Sequence, residues 1–449
     1  MAAKRPNILM FIPHDLGDYV HCYGHRAVRS PNLDQLAATG VRFTDCFTSA
    51  PECTPSRSGL FTGLYTHQNG LMGLTHRGWS FFPETVHLAK RLWDAGYSTN
   101  LFGAQHESQR MLGELGYDCI FAQQFYASSA EICSEAAHWL ERNAVHEDKP
   151  WFACVGFEDT HRPWRPARDF GPNDVELPPY LPDAPEVRAD LAELYQSILD
   201  MDTAIGRVLD ALERTGLAEH TLVVYTVDHG IPFPRAKSTY YDPGIRVPMI
   251  LRLPGRFMCG REYGPLISNL DFTPTLLELC GITVPEELEG RSFLNLLDGK
   301  PYAERDAVYG ALYYDAFYDP MHSVRTKRYK YIRSFAVTLE ESAGAEPDVL
   351  AKHETGTWIR ADDSDVQRSP TWQYIKRSGP FPLPPPEELY DLEKDPLEQH
   401  NVAGTPACAA FLDDARSKLK AMMERTNSPL LKGHVSPNLS STRNQHLRH

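Results

Sequence analysis

The sequence predicts an α/β fold: a mostly parallel central sheet flanked by helices, followed by a smaller C-terminal part. Three observations carry that prediction. Short apolar runs recur at Ile8–Pro13, Ser98–Phe102, Trp151–Phe157, Thr221–Thr226 and Val247–Leu251, each of strand length. Amphipathic segments separate them, as helices do between strands of such a sheet. Four of the runs end in polar, chemistry-bearing clusters.

Taken in order, the opening Met1-Ala2-Ala3-Lys4-Arg5-Pro6 passes straight into the first strand, and that apolar run is too short for a signal h-region or a membrane span. Ser30 is placed to cap a helix with Pro31 at its first position. Glu84–Ala95 has helical spacing. The longest predicted helix is Asp190–Thr215, where Leu191, Leu194, Tyr195, Ile198, Ile205, Val208 and Leu212 form one stripe and Gly216 ends it. Another helix opens at Thr273-Pro274, and Ser323–Arg333 reads as strand. The text changes near residue 303, which divides the chain into an α/β part at 1–302, a C-terminal part at 303–430 and a tail at 431–449. Ala343–Pro386 is polar and proline-rich and reads as a long excursion, and after Leu430 little apolar content remains, so the tail reads as an arm or a disordered end.

The bulk numbers bound the function. A chain of 449 residues, 42% hydrophobic and 23% charged, has the composition of a soluble globular enzyme. Its formal net charge of −14 argues against nucleic-acid or anionic-membrane partners, while leaving room for a locally positive pocket. Nine cysteines, an odd number without paired spacing, fit reduced thiols in a cytoplasmic protein. Eight of them, Cys22, Cys46, Cys119, Cys133, Cys154, Cys259, Cys280 and Cys408, read as small buried residues. Cys53 does not.

Cys53-Thr54-Pro55-Ser56-Arg57 places a reactive group at the mouth of a helix. Pro55 suits a first helical turn, and the free N–H groups of that turn favour an anion beside Cys53. Arg57 adds a forked cation suited to a tetrahedral oxyanion. The polar clusters at the strand ends are His14-Asp15, Gln105-His106-Glu107, Glu158-Asp159-Thr160-His161 and Asp228-His229-Gly230. Ligands bind beyond the carboxyl ends of parallel strands, so four such clusters plus a cysteine predict one site. Asp15, Asp228 and His229 suit a divalent cation, two carboxylates and one imidazole.

Cys-x-Pro-Ser-Arg followed by Thr62-Gly63 resembles the signature of the sulfatase family, in the alkaline phosphatase superfamily. Pro6-Asn7-Ile8-Leu9, Ser30-Pro31-Asn32-Leu33-Asp34 and Gly40-Val41-Arg42-Phe43 agree with it, and family-like segments recur to about residue 400. The resemblance implies an alkaline phosphatase-like fold with a small antiparallel C-terminal sheet. It also implies that Cys53 is oxidised to formylglycine, whose hydrated aldehyde is the nucleophile, by a formylglycine-generating enzyme. His14, Asp15, Cys53, Asp228 and His229 then hold the metal, and Arg57, His106, His161 and Lys237 act on the sulfate and the leaving group. Two positions depart from the family pattern. His14 stands where the first aspartate of Asp-Asp-Leu-Gly is usual, in either a ligating or an outer role, and Gly103-Ala104-Gln105-His106 keeps a histidine but lacks the usual lysine. The family metal is calcium; two imidazoles tilt the preference toward manganese or zinc.

Within the family, His67-Gln68-Asn69-Gly70, Gly230-Ile231-Pro232-Phe233-Pro234 and Leu177–Asp183 resemble heparan N-sulfatases (N-sulfoglucosamine sulfohydrolases) more than arylsulfatases. That implies a sulfate ester or sulfamate on a sugar, and a homo-oligomer is compatible with it. Two other readings share the same residues. One is a phosphonate monoester or phosphodiester hydrolase of the same superfamily, and the other a non-catalytic protein that binds sulfated carbohydrate.

Overall fold

The computed structural model describes residues 5–109, 112–121, 127–314, 318–335, 365–377 and 385–435. Fourteen strands follow in chain order: β1 Asn7–Pro13, β2 Val41–Phe43, β3 Cys46–Phe47, β4 Ser98–Gly103, β5 Cys119–Phe121, β6 Trp151–Phe157, β7 Thr221–Thr226, β8 Met249–Arg252, β9 Arg261–Tyr263, β10 Ile267–Ser268, β11 Val308–Tyr314, β12 Tyr318–Arg325, β13 Tyr329–Ser334 and β14 Glu387–Asp391. Eight of them form the central sheet in the order β5-β4-β6-β1-β7-β8-β2-β9. The five predicted strands all belong to it. The sheet is mostly parallel, as expected, with one exception: β8 runs antiparallel to both β7 and β2. A parallel return needs a crossover. The β7–β8 connection instead folds over the carboxyl end of the sheet with one helical turn, Asp242–Ile245, so the chain comes back down beside β7.

β1 lies at the centre, paired in parallel with β6 and β7, and its residues from Ile8 to Pro13 are all buried. Burial on both faces explains the unbroken apolar text. The long helix spans Pro185–Arg214, beginning one turn before the predicted start, because Pro185 sits at its first position. The Glu84–Ala95 segment supplies the shorter helix Leu88–Asp94, and Thr273-Pro274 lies in the first turn of Phe272–Leu279. Ser30 does precede the helix Pro31–Thr39, but its hydroxyl accepts from the His21 N–H at 3.0 Å. The free first-turn N–H groups of Asn32 and Leu33 are capped by the Asp202 carboxylate at 3.1 and 2.9 Å instead.

The C-terminal sheet is antiparallel, in the order β11-β12-β13-β14. Ser323–Arg333, expected as strand, is the end of β12, a turn at 326–328 and most of β13. One face of this sheet, through Val324, Tyr331 and Leu389, packs on the helix Ala409–Arg425 by Leu412, Leu419 and Met423. Of the polar excursion, residues 365–377 form two helical turns, Asp365–Arg368 and Pro370–Lys376, and pack on the long helix with Trp372 buried. The rest of that excursion up to residue 384 lies outside the described residues, as does the tail from 436. Residues 431–435 are not a loose arm: the Tyr314 hydroxyl donates to the Val435 carbonyl at 2.6 Å. Four of the eight cysteines read as buried are not so, Cys119 and Cys259 being exposed and Cys22 and Cys408 half-buried. Among the described residues no helix is long and apolar enough to cross a membrane.

Three buried histidines outside the strand-end clusters set an acid limit. Burial pulls His67 down to about 4, and His87 and His322 to about 3, from an ordinary 6.5. The folded chain therefore keeps them neutral where the unfolded chain binds protons. Stability is full above about pH 6.5 and is lost as pH falls toward those lowered values. Urea midpoints at pH 7.5 and 5 are expected to differ, with the lower midpoint at pH 5. His322→Phe, which suits the Tyr313 and Phe335 rings around it, is expected to shrink that difference.

Candidate active site

Hydrogen bonding of β1 between β6 and β7 brings their C-terminal loops side by side. After β1, Asp15 takes a left-handed backbone at φ 51°, a strained conformation that Asp tolerates better than most residues. The Asp15 and His229 N–H groups both donate to Asp228 Oδ1 at 2.9 Å, which orients that carboxylate. Its other oxygen, Oδ2, is buried 3.0 Å from His14 Nδ1 without the alignment of a hydrogen bond. Gly230 closes the β7 loop on Pro243 and Gly244; a Cβ there would meet the Pro243 carbonyl at 1.9 Å. Glycine is therefore required.

Cys53 opens the helix Cys53–Thr62, with Glu52 before it and every residue of the helix buried. Pro55 is its third residue, where no intrahelical bond is lost. The motif serine has a role that sequence reasoning missed: the Ser56 hydroxyl donates to the Asp228 carbonyl and meets Thr48 Oγ1 at 2.6 Å. Thr54 Oγ1 donates to the His106 carbonyl at 2.7 Å. These two bonds fasten the cysteine helix to the ends of β7 and β4.

All nine predicted site residues meet around this helix mouth. Cys53 Sγ lies 3.2 Å from His229 Nε2 and 3.6 Å from Asp15 Oδ1. His229 Nε2 also lies 3.1 Å from Asp15 Oδ1, while its Nδ1 donates to the Gly230 carbonyl at 3.1 Å, leaving Nε2 aimed into the site. Lys237 Nζ pairs with Asp15 Oδ2 at 2.7 Å and with Asp365 Oδ2 at 3.1 Å. His161 Nδ1 donates to its neighbouring carbonyl at 2.6 Å, and its Nε2 stands 3.7 Å from Asp15 Oδ2. Arg57 lies between His14 Nε2, at 3.3 Å, and Glu107, to which its Nε donates. His106 packs its ring 4.4 Å from that of His14, with Nε2 3.3 Å from Glu158. Three carboxylates that sequence reasoning did not assign complete the wall: Glu107, Glu158 and Asp365. The first two stand inside the clusters read from the sequence. Asp365 carries no local signal, since it arrives from the polar excursion.

The charges follow from burial and pairing. Burial raises the Asp228 carboxyl, but His229 and His14 outweigh it and hold it below the usual carboxylate range. Asp15 is likewise kept ionised, against its burial, by Lys237, His161 and His229. Burial would lower His229 and Lys237, but the surrounding carboxylates outweigh it and raise both; a cation held at His229 Nε2 would take the place of the proton there. Burial, with help from Arg57, pulls His106 down to about 3, so it is neutral at physiological pH. Burial pushes the Cys53 thiol up to about 12 despite Lys237. An unmodified Cys53 is therefore a poor thiolate nucleophile. In native enzyme, iodoacetamide at neutral pH is expected to label exposed Cys119 and Cys259 and to spare Cys53, which peptide mapping reads directly. Rapid labelling at Cys53 would contradict this environment.

The donor set suits a divalent cation. Ligand atoms of His14, Asp15, Cys53 and Asp228 all lie within 4.8 Å of one another, as do those of Glu52, Cys53 and His229. A cavity of about 600 Å³ opens from this centre, with His106, Glu158 and His161 in its wall.

The comparisons with known proteins agree. The sulfatase family model matches residues 6–282, and a model described as N-sulphoglucosamine sulphohydrolase, C-terminal, matches 234–342. The chain belongs to the sulfatase family. It is a sulfuric ester hydrolase. An ulvan-active sulfatase from Formosa agariphila is 30% identical over 93% of this chain and 74% of its own. Human N-sulphoglucosamine sulphohydrolase is 28% identical over 95% and 91% respectively. Solved structures share the fold: one bound to D-glucosamine-2-N,6-O-disulfate superposes with TM-score 0.69 at 19% identity, covering 94% of this chain and 98% of that one. The phosphonate monoester hydrolase of Agrobacterium radiobacter gives 0.71 at 21% identity, over 96% and 100%.

Proposed function

We propose that this sulfatase cleaves a sulfate ester or sulfamate on a saccharide, with Cys53 converted to formylglycine and one divalent ion beside it. The observation that carries the reading is the convergence of His14-Asp15, Cys53, His106, His161, Asp228-His229 and Lys237 on one helix mouth next to an open cavity. Asp15, Asp228, His229 and residue 53 would hold the ion, which supplies Lewis-acid charge, and formylglycine supplies a hydrated aldehyde as nucleophile. A guanidinium only donates, so the His14 Nε2 facing Arg57 accepts and the proton of neutral His14 sits on Nδ1, toward Asp228. His14 stands 3.0 Å from Asp228 and within the same donor group as Asp15 and residue 53, where it would either join the ligand set or stand behind Asp228.

The other residues divide the work by position. Arg57 and the N–H groups of the Cys53–Thr62 helix face negative charge as it grows on the sulfate oxygens. Lys237 Nζ and His161 Nε2 stand together on the cavity side, where either can hand a proton to the leaving oxygen or nitrogen. His106, neutral, can take a proton in the step that releases sulfate. A modifying enzyme reaches Cys53 only before folding, because the finished helix buries it; a formylglycine-generating enzyme is accordingly a partner of the nascent chain. Calcium is the ion we favour, since two carboxylates lead the ligand set. Eight free thiols besides residue 53 support a cytoplasmic location. The division near residue 303, before the C-terminal sheet begins at Val308, and a homo-oligomer belong to the same reading.

The experiment is a substrate panel on purified enzyme: nitrophenyl sulfate, bis-nitrophenyl phosphate and a phenylphosphonate monoester, with a glucosamine N-sulfate beside them. Sulfate or sulfamate turnover at least tenfold above the phosphorus compounds is expected. A reversed order would make the phosphonate or phosphodiester hydrolase the better reading, and binding without any turnover the non-catalytic one.

A further inference from the structure

The cavity that opens from His106 and His161 continues away from residue 53, between the loop after β6, the first turn of the Ser129–Arg142 helix and the long helix. Four arginines stand in its wall. Arg162 is neutralised by a bidentate pair with Asp190 at 2.6 and 2.8 Å, and Arg168 by Asp200 at 2.7 and 3.0 Å. Arg165 and Arg207 have no ion-pair or hydrogen-bond partner among the described residues, and both are exposed to the cavity.

The carboxylates nearby are already engaged. Asp159 accepts from the Ser129 N–H at 2.5 Å, and Glu131 accepts from the Ser128 N–H at 2.9 Å; both feel Arg165 only at longer range. Glu158 stands 3.3 Å from His106, with its carboxyl raised by burial. A chain of net charge −14 thus directs two guanidinium groups, neither with an ion-pair or hydrogen-bond contact among the described residues, into the cavity that also holds His106 and His161. Guanidinium forks match carboxylate and sulfate oxygens, and a cavity of about 600 Å³ has room for a sugar beyond the scissile group.

We propose that this cavity is a subsite for a second oxyanion of the substrate, a carboxylate or a further sulfate on the saccharide, held by Arg165 and Arg207. The proposal rests on the sugar-sulfatase reading and narrows it to polyanionic saccharides.

The test compares full-length modified enzyme with its Arg165→Gln/Arg207→Gln form on three substrates. Nitrophenyl sulfate carries no second anion, one sulfated disaccharide carries a uronate carboxylate, and another carries a second sulfate but no carboxylate. On at least one disaccharide kcat/KM is expected to fall about tenfold or more, mainly through KM, while nitrophenyl sulfate changes less than about twofold. The disaccharide that suffers identifies the oxyanion. No loss on either, or an equal loss on all three, overturns the subsite. Calorimetry with the same disaccharides on a Cys53→Ala background, with and without the arginine changes, measures binding apart from turnover. Arginine-dependent binding by a chain that hydrolyses no sulfate keeps the subsite and rejects the reaction; turnover with arginine-independent binding does the opposite.

Discussion

Replacing Cys53 with alanine is expected to lower kcat/KM on nitrophenyl sulfate by roughly 10⁴-fold or more, the scale at which a nucleophile is lost. The structure leaves no substitute. His229 Nε2 and Asp15, the nearest groups at 3.2 and 3.6 Å, are the ones that would hold the ion, so neither is free to attack sulfur. The same argument makes the unmodified cysteine form inactive, because burial holds the thiol at about 12. Alanine keeps helical backbone at the first position of Cys53–Thr62, so the variant is expected to unfold within a few degrees of the parent. Thermal melts alongside the kinetics separate lost chemistry from lost fold. Residual activity above about one per cent in a well-folded variant would mean that another group attacks sulfur.

The largest stability effect is expected at Glu107. Arg57 and Glu107 form an ion pair with side chains 0% and 1% exposed. Water cannot replace a lost partner there, so Glu107→Leu strands a buried guanidinium at a cost of about 3–5 kcal/mol. The exposed pair Arg42–Glu262, with side chains 31% and 52% accessible, is the control, and Glu262→Gln is expected to cost less than about 1 kcal/mol. Urea midpoints for the two variants check the contrast. Activity should fall with Glu107→Leu as well, since Glu107 holds the guanidinium beside His14 and the cysteine helix. Equal shifts for the two variants would show that the Arg57 pocket is wetter than its burial indicates.

What could be read from the text, and what could not, has physical causes. β1, β6 and β7 were legible because both faces of a central strand are covered, which writes an unbroken apolar run. The polar strand-end clusters were legible because each follows such a strand closely. The reversed direction of β8 was not, for strand direction is set by the connection's path and leaves no mark on the four residues Met249–Arg252. Ser30 looked like a cap by residue type, yet Asp202, 170 residues from Asn32, takes that work. Ser56 was read as part of a motif rather than as the hydroxyl that ties the helix to β7. Asp365 is the clearest omission. It reaches Lys237 from a proline-rich polar stretch whose periodicity is uninformative, and only tertiary packing of Pro370–Lys376 on the long helix places it.

The measurement closest to the central claim is the mass of the tryptic peptide 43–57, bounded by Arg42 and Arg57, taken from enzyme whose specific activity is known. An aldehyde at position 53, in a fraction that tracks activity across preparations, is the result this account predicts. A fully active preparation whose peptide carries only the cysteine thiol would contradict it.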